Sequence, residues 1–389
     1  MYSLTLDIGT TTLKAVLFDE SFSVVAKSSR NLSKQFPKKD WVEQEPREFV
    51  KKSLEVLREV FKVTSVSPTD CRMGITNQRE TTIIWNKTTG ETVYPAIGWE
   101  DKRTQAWCDA QSDKAKKFVF EKSGLPLIEY FSATKIAWII NSLKNSTVET
   151  VYDVDLAFGT VDSWLMWNLL KDHPHITDST NASRTLLFDI YAQDWSQELV
   201  DLFGLPMSIL PEVKKSAFWF GVLDKSVVGT EIPVTAVCGD QQSSLFAAMC
   251  AQGPGEHYTK VTCGTGTFVM QTCARNAKIP PGWFKTLTPS ADTKSLTYAL
   301  ETKIEKGARE VDEILKTGKG LDGFLYSLAQ SIANKIAQLP IKPEMILIDG
   351  GVSRDGIVST RLEEITKIPV KSLSTFDGTA LGVAQLCSK

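Results

Sequence analysis

The run Asp7-Ile8-Gly9-Thr10-Thr11-Thr12-Leu13-Lys14 sets small residues, hydroxyls and backbone N–H groups between two apolar flanks. A turn of that make-up can wrap phosphate oxygens without steric conflict. Asp7 can hold a hydrated Mg²⁺, and Lys14 adds positive charge. The same residues also suit an ordinary hairpin turn, and the run alone does not choose. Arg79 and Glu80 are adjacent charges between two apolar segments. In a cleft they would hold vicinal hydroxyls, Arg donating and Glu accepting; on a surface they are a solvated pair, the commoner case. Trp99 offers a flat face for the carbon side of a sugar or polyol, or simply core. Asp240 follows an apolar run and opens a helix, a position where Asp is a favoured cap. Gly350-Gly351 follows the apolar Met345–Ile348, and such a pair lets a flat ligand such as adenine approach the backbone, or only turns the chain.

The elements that must position these residues follow from periodicity. Leu4–Phe18 reads as strand, Gly/Thr turn, strand, and Phe22–Ala26 as a third strand. Pro46 suits the first turn of a helix, with Val50, Leu54, Leu57 and Phe61 at helical spacing. Met73–Thr76 and Ile83–Trp85 read as strands flanking Arg79-Glu80, and Phe158–Trp167 as a buried helix. Val234–Val237 is then a strand, Ser243–Ala251 a helix, and Val261–Met270 again strand, Gly/Thr turn, strand. Ser295–Leu300 is a third strand, Gly307–Leu315 and Leu321–Leu339 are helices, and Asp377-Gly378-Thr379 opens a last one. Two strand–turn–strand units, one opening each half, predict duplicated domains facing each other across a cleft. Leu205-Pro206, Leu210-Pro211 and Pro233 put the junction at 232/233.

Size, 389 residues, allows two or three domains, and 42% hydrophobic with 23% charged residues is ordinary for a globular chain. A net charge of -2 asks for neither nucleic acid nor an anionic membrane. Seven scattered cysteines without CxxC spacing fit reduced thiols, and three histidines argue against a His-based metal site. The chain enters a strand at once, with no room read for a signal peptide, so a cytoplasmic location is expected.

Taken together, Asp7–Lys14, Gly74–Thr82, Tyr130–Trp138, Phe158–Trp164, Thr177–Thr185, Gly239–Gln242, Gly264–Phe268 and Asp349–Gly351 resemble the FGGY carbohydrate kinases. The runs around Arg79-Glu80 and Asn181-Ala182-Ser183-Arg184 look like the branch that acts on glycerol. The resemblance implies an α/β fold of two actin/hexokinase/Hsp70-like (ribonuclease H-like) domains, 1–232 and a shortened 233–389, with a nucleotide cleft between them. It implies ATP and Mg²⁺ as cofactors, a small polyol as substrate partner, no nucleic acid or membrane partner, and room for a homo-oligomer. The expected reaction is ATP-dependent phosphorylation of a primary hydroxyl of glycerol. The alternatives are another polyol or ketose, or a nucleotide-binding protein with weak or lost catalysis. By that likeness Asp240 is the general base and faces the metal with Asp7. Arg79, Glu80, Trp99, Tyr130, Asp240, Gln241 and Phe268 surround the polyol. Thr10, Thr11, Thr12, Lys14 and Thr265 meet nucleotide phosphates, with Gly307 and Gly351 near the adenosine.

The chain departs from the family pattern in three places. The segment between the Gly307 and Leu321 helices is nearly absent. Asp355 stands where an asparagine is expected near the nucleotide, and a carboxylate facing a phosphate is unfavourable. Gly307 is followed by Ala308-Arg309-Glu310, a poor match.

Overall fold

The computed structural model describes residues 1–146, 155–253, 257–264, 266–290, 298–305, 314, 320–373 and 377–389. The expected helix Gly307–Leu315, the candidate residues Thr265 and Gly307, and the shortened segment before Leu321 lie outside these residues, apart from Ile314.

Two six-stranded sheets organise the chain. The first holds β1 (Tyr2–Ile8), β2 (Thr12–Phe18), β3 (Val24–Asn31), β4 (Cys71–Asn77), β5 (Ala217–Leu223) and β6 (Ile232–Gly239) in the order β5–β6–β4–β1–β2–β3. The second holds β7 (Thr259–Cys263), β8 (Thr267–Cys273), β9 (Phe284–Leu287), β10 (Tyr298–Ile304), β11 (Ile346–Asp349) and β12 (Val370–Ser372) in the order β9–β10–β8–β7–β11–β12. In each sheet an antiparallel hairpin is extended on one side by an antiparallel strand and on the other by two parallel strands. One extra edge strand, β5 or β9, completes each. The duplication expected from the two turn units is therefore a duplication of topology, not only of motif.

The helices that matter to the site are α1 (Pro46–Lys62), α2 (Ser132–Ser146), α3 (Val161–Leu169), α4 (Asp240–Gln252), α5 (Leu321–Ile336), α6 (Ile357–Thr366) and α7 (Gly378–Leu386). Pro46 begins α1 and the Glu45 side chain caps the Arg47 amide. The buried stripe of α1 is Phe49, Ser53, Val56, Leu57 and Val60. It is centred beside the expected one, and Val50, Leu54 and Phe61 pack at its margin. α5 buries Leu325, Leu328, Ile332 and Ile336, with Leu321 and Phe324 partly buried against the same core. α4 and α7 cross so closely that a Cβ on Gly382 would lie 1.8 Å from the Ser243 carbonyl oxygen. α7 packs against β1 and β4 of the first sheet.

Three expectations are corrected. Phe22 does not open β3: residues 19–23 form a turn in which the Asp19 carboxylate accepts the amides of Ser21 and Ser23, and the strand starts at Val24. Phe158-Gly159 is not helical, because Leu156–Gly159 pairs antiparallel with Ile83–Asn86 before α3 begins. The junction expected at 232/233 falls at the head of β6, which pairs with β4 and β5, so this strand belongs to the first sheet. The chain passes to the second sheet only through α4.

Separate apolar cores serve the sheets. One lies under β1, β2, β4 and α1, one between the second sheet and α5 and α6, and a third gathers residues from Ile84 to Leu210, including the buried face of α2. Among the described residues no helix is long and apolar enough to cross a membrane.

Candidate active site

The tips of the two equivalent hairpins meet at one place. Gly9 and Thr10 from the β1–β2 turn, and Gly264 and Gly266 from the β7–β8 turn, line a single pocket of about 140 Å³. Arg79, Glu80, Trp99, Tyr130, Asp240, Gln241, Thr262 and Phe268 complete its wall. Each comes from a defined position: Arg79 and Glu80 follow β4, Asp240 and Gln241 open α4, Tyr130 precedes α2, and Thr262 and Phe268 sit opposite each other in the second hairpin. Glycine at 239 is required by crowding, since a Cβ there would lie 2.7 Å from Arg79 Cδ. Trp99 Nε1 donates to Thr10 Oγ1 at 3.0 Å, so the aromatic wall is fixed to the first hairpin tip. Trp99 and Tyr130 meet edge to face.

The charges beneath the pocket form a buried network. Arg79 donates from Nη1 and Nη2 to the two oxygens of Glu301, both at 2.8 Å. Its Nη1 also reaches Gln242 Oε1 at 3.2 Å, and its Nε lies 3.0 Å from Asp240 Oδ1. A guanidinium has five N–H groups, so this pattern leaves one on Nη2 for a ligand. Arg184 donates to Glu80 Oε1 at 2.6 Å and to Glu301 Oε2 at 3.3 Å, and stacks near Phe131 and Phe284. Glu80 holds φ +63, an uncommon backbone for a residue with a side chain. Gln241 Oε1 is buried with no hydrogen-bond partner. Arg79, Glu80 and Gln241 line the pocket, and they keep one guanidinium N–H and the Gln241 amide oxygen without a protein partner, groups of the kind that bind neighbouring hydroxyls.

Asp240 is a quarter exposed. Burial pushes its carboxyl up to about 6; Arg79 pulls against the rise, while Glu80 and Asp7 add to it. That value suits a group that takes a proton near neutral pH. Asp7 is nearly buried and does not line the pocket. Thr379 Oγ1 donates to its Oδ2, and Lys14 Nζ lies 3.1 Å from the same oxygen. Lys14 also reaches Asp377 at 2.8 Å. Burial pulls the Lys14 ammonium down, but Asp7 and Asp377 together hold it above its ordinary value. Lys14, expected to meet nucleotide phosphates, therefore pairs with two carboxylates here, and that pairing ties the first hairpin to the head of α7.

The other expected residues are placed as follows. Thr11 and Thr12 are exposed at the hairpin tip, where Thr12 O accepts from Gly9 N at 3.0 Å. Gly351 is exposed with open space where a Cβ would be, and follows Gly350, whose φ of +98 and approach to the Cys263 backbone set this turn against the second hairpin tip. Asp355 is exposed and its Oδ1 accepts from Ile357 N at 3.0 Å, just ahead of α6. Sequence reasoning missed Glu301 and Lys303, side by side on one face of β10. The available signal was a carboxylate inside the strand Tyr-Ala-Leu-Glu-Thr-Lys-Ile, where burial of an unpaired charge is prohibitive.

Comparison with known proteins gives the family and the fold. The model of the FGGY family of carbohydrate kinases, N-terminal domain, matches residues 2–247. This chain belongs to the FGGY family of carbohydrate kinases. It is 42% identical over 309 residues to a glycerol kinase of Shewanella frigidimarina, covering 79% of this chain and 61% of that one. It is 40% identical over 306 residues to glycerol kinase 2 of Thermotoga maritima, covering 78% and 61%. The chain thus spans about three fifths of the length of these curated relatives. The crystal structure of Plasmodium falciparum glycerol kinase with ADP superposes with a TM-score of 0.86 at 26% identity, over 99% of this chain and 88% of that one. Gluconate kinase from Lactobacillus acidophilus, 17% identical with a TM-score of 0.82 over 99% and 88%, shares the fold. The two-domain actin/hexokinase-like architecture is therefore the fold of this chain.

Proposed function

We propose that this chain phosphorylates a primary hydroxyl of glycerol with ATP, giving glycerol 3-phosphate and ADP. The observation that carries the reading is the convergence of both hairpin tips and Asp240 on one small pocket furnished with Arg79, Glu80 and Gln241. The similar glycerol kinases support the choice of substrate. Arg79 and Glu80 orient the polyol, with Trp99 and Phe268 against its carbon face. The reacting hydroxyl oxygen forms a bond to the terminal phosphorus as the bond to the ADP oxygen breaks, and its proton passes to Asp240. The backbone N–H groups of the two tips are the donors suited to the transferred phosphoryl oxygens.

Mg²⁺ fits the donor set. Asp7, in register with Lys14 beside the first hairpin tip, and Asp240, on the pocket wall at the head of α4, would hold it as hard oxygen ligands. A bound Mg²⁺ supplies charge neutralisation for the phosphates.

The second reading, a nucleotide-binding protein with weak catalysis, is favoured by the span of only 61% of the relatives. ADP release with glycerol and a panel of polyols and ketoses, with and without Mg²⁺, separates the two. Glycerol-stimulated release that needs Mg²⁺ supports the kinase, and ATP binding with no stimulation by any acceptor overturns it. Seven free cysteines, six of them buried, fit a reducing compartment, and we place the protein in the cytoplasm. We divide its domains within α4 rather than before β6.

A further inference from the structure

The second sheet reaches into the polyol wall through one strand. On β10, Glu301 and Lys303 project to the same side, as residues two apart in a strand must, while Thr302 bonds the Gly282 carbonyl on the other side at 2.8 Å. Glu301 is fully buried and grips both guanidinium groups of the first lobe, Arg79 through two bonds and Arg184 through one. Lys303 lies 4.9 Å over the Trp99 ring and 5.7 Å from that of Tyr130. Everything that Arg79 and Trp99 show to the pocket is therefore braced from across the cleft.

We infer that Glu301 is a positioning residue for polyol recognition: by holding Arg79 with two bonds from the opposite lobe, it aims the one remaining guanidinium N–H into the pocket and makes that aim depend on the lobes being together. The inference rests on the proposed polyol site. It follows from geometry that a bidentate carboxylate fixes the plane of a guanidinium as a single contact cannot. With Gln at 301 one carbonyl oxygen still accepts from Arg79 but the second contact is lost, so the guanidinium plane is no longer fixed and can turn toward Asp240. A lobe-spanning pair of this kind also leaves both arginines buried without full compensation when it is broken.

The experiment compares Glu301→Gln and Glu301→Asp with the native protein. Glu301→Gln raises the KM for glycerol about tenfold to a hundredfold, from the loss of a charged hydrogen bond, and leaves the KM for ATP unchanged. Glu301→Asp keeps the charge and recovers part of the native glycerol KM, a rescue that a merely structural contact would not give. Both variants are first shown to be folded by their melting transitions. Equal KM values for glycerol in native and Glu301→Gln protein, a matching rise in the KM for ATP, or no recovery by Glu301→Asp overturn the inference. A second readout needs no turnover: small-angle scattering without substrates gives a larger radius of gyration for Glu301→Gln if this carboxylate ties the lobes, and an unchanged radius overturns the tie. Should the native protein release no ADP with any polyol, the kinase reading fails, and scattering still judges Glu301.

Discussion

Asp7 and Lys14 are register partners across the first hairpin, and the Lys14 ammonium, 3.1 Å from Asp7, also grips Asp377, 2.8 Å away near the end of the chain. Asp377 holds Lys27 as well, at 2.5 Å. The phosphate-type hairpin is thus anchored to the head of α7 by charges far apart in sequence. Although burial opposes it, Lys14 and Lys27 hold the Asp377 carboxyl below the usual range. A carboxyl lowered by folding contributes stability above its unfolded value and loses it as pH falls through its folded value. Asp377→Asn is expected to lower stability by about 1–2 kcal/mol near neutral pH, the scale of a partly buried pair. The difference from native protein closes on acidification below about pH 4. Parallel denaturant titrations across pH check this, and a pH-independent difference contradicts it.

Asp240 is the proton acceptor of the proposed reaction and must be ionised. Its carboxyl stands at about 6, so kcat/KM falls roughly tenfold per unit below that value. Asp240→Asn lowers kcat by about 10²–10⁴-fold. The raised value also means that this group costs stability as pH rises from its unfolded value toward 6. The Asn variant is therefore expected to melt no lower than native protein at neutral pH. A variant with native turnover refutes the assignment.

Gln241 Oε1 is an acceptor without a protein partner. Removing it leaves no donor stranded in the folded protein. Gln241→Ala is expected to raise the glycerol KM by about tenfold with little change in melting temperature. Steady-state kinetics beside thermal melts would expose an error, either through an unchanged KM or through a fall in stability large enough to explain the loss.

Gly382 allows α7 to cross α4 where no side chain fits, with Ser243 O 1.8 Å from the missing Cβ. Gly382→Ala forces the helices apart and is expected to cost about 2–4 kcal/mol. The denaturant midpoint reads this directly, and a midpoint equal to native would mean that the crossing is slack.

What could be read from the chain was local. The two strand–turn–strand units and the helix begun by Pro46 follow from periodicity, because each is decided by neighbours a few residues away. The β3 start at Val24 and the strand at Leu156–Gly159 did not follow, since an Asx-type turn at Asp19 and a partner strand at Ile83–Asn86 outweigh the apolar runs. Asp240, Arg79 and Glu80 were expected together from family likeness, and the structure brings them to one pocket. Their true partners were not, because Glu301 meets Arg79 across 222 residues of chain. Lys14 was expected to face a ligand, yet Asp377 occupies it from 363 residues away. Such pairings depend on how two lobes close, and no local pattern encodes that.

The two hairpins have the same place in their sheets, and their penultimate pairs can be compared directly. In the first this pair is Asp7 and Lys14; in the second it is Thr262 and Phe268. A repeated scaffold has therefore received opposite furnishings, ionic on one side and neutral with an aromatic on the other. Grafting one tip's pair onto the other would preserve the backbone and erase the polarity of the cleft, so the two halves are symmetric as architecture and irreversibly specialised as chemistry.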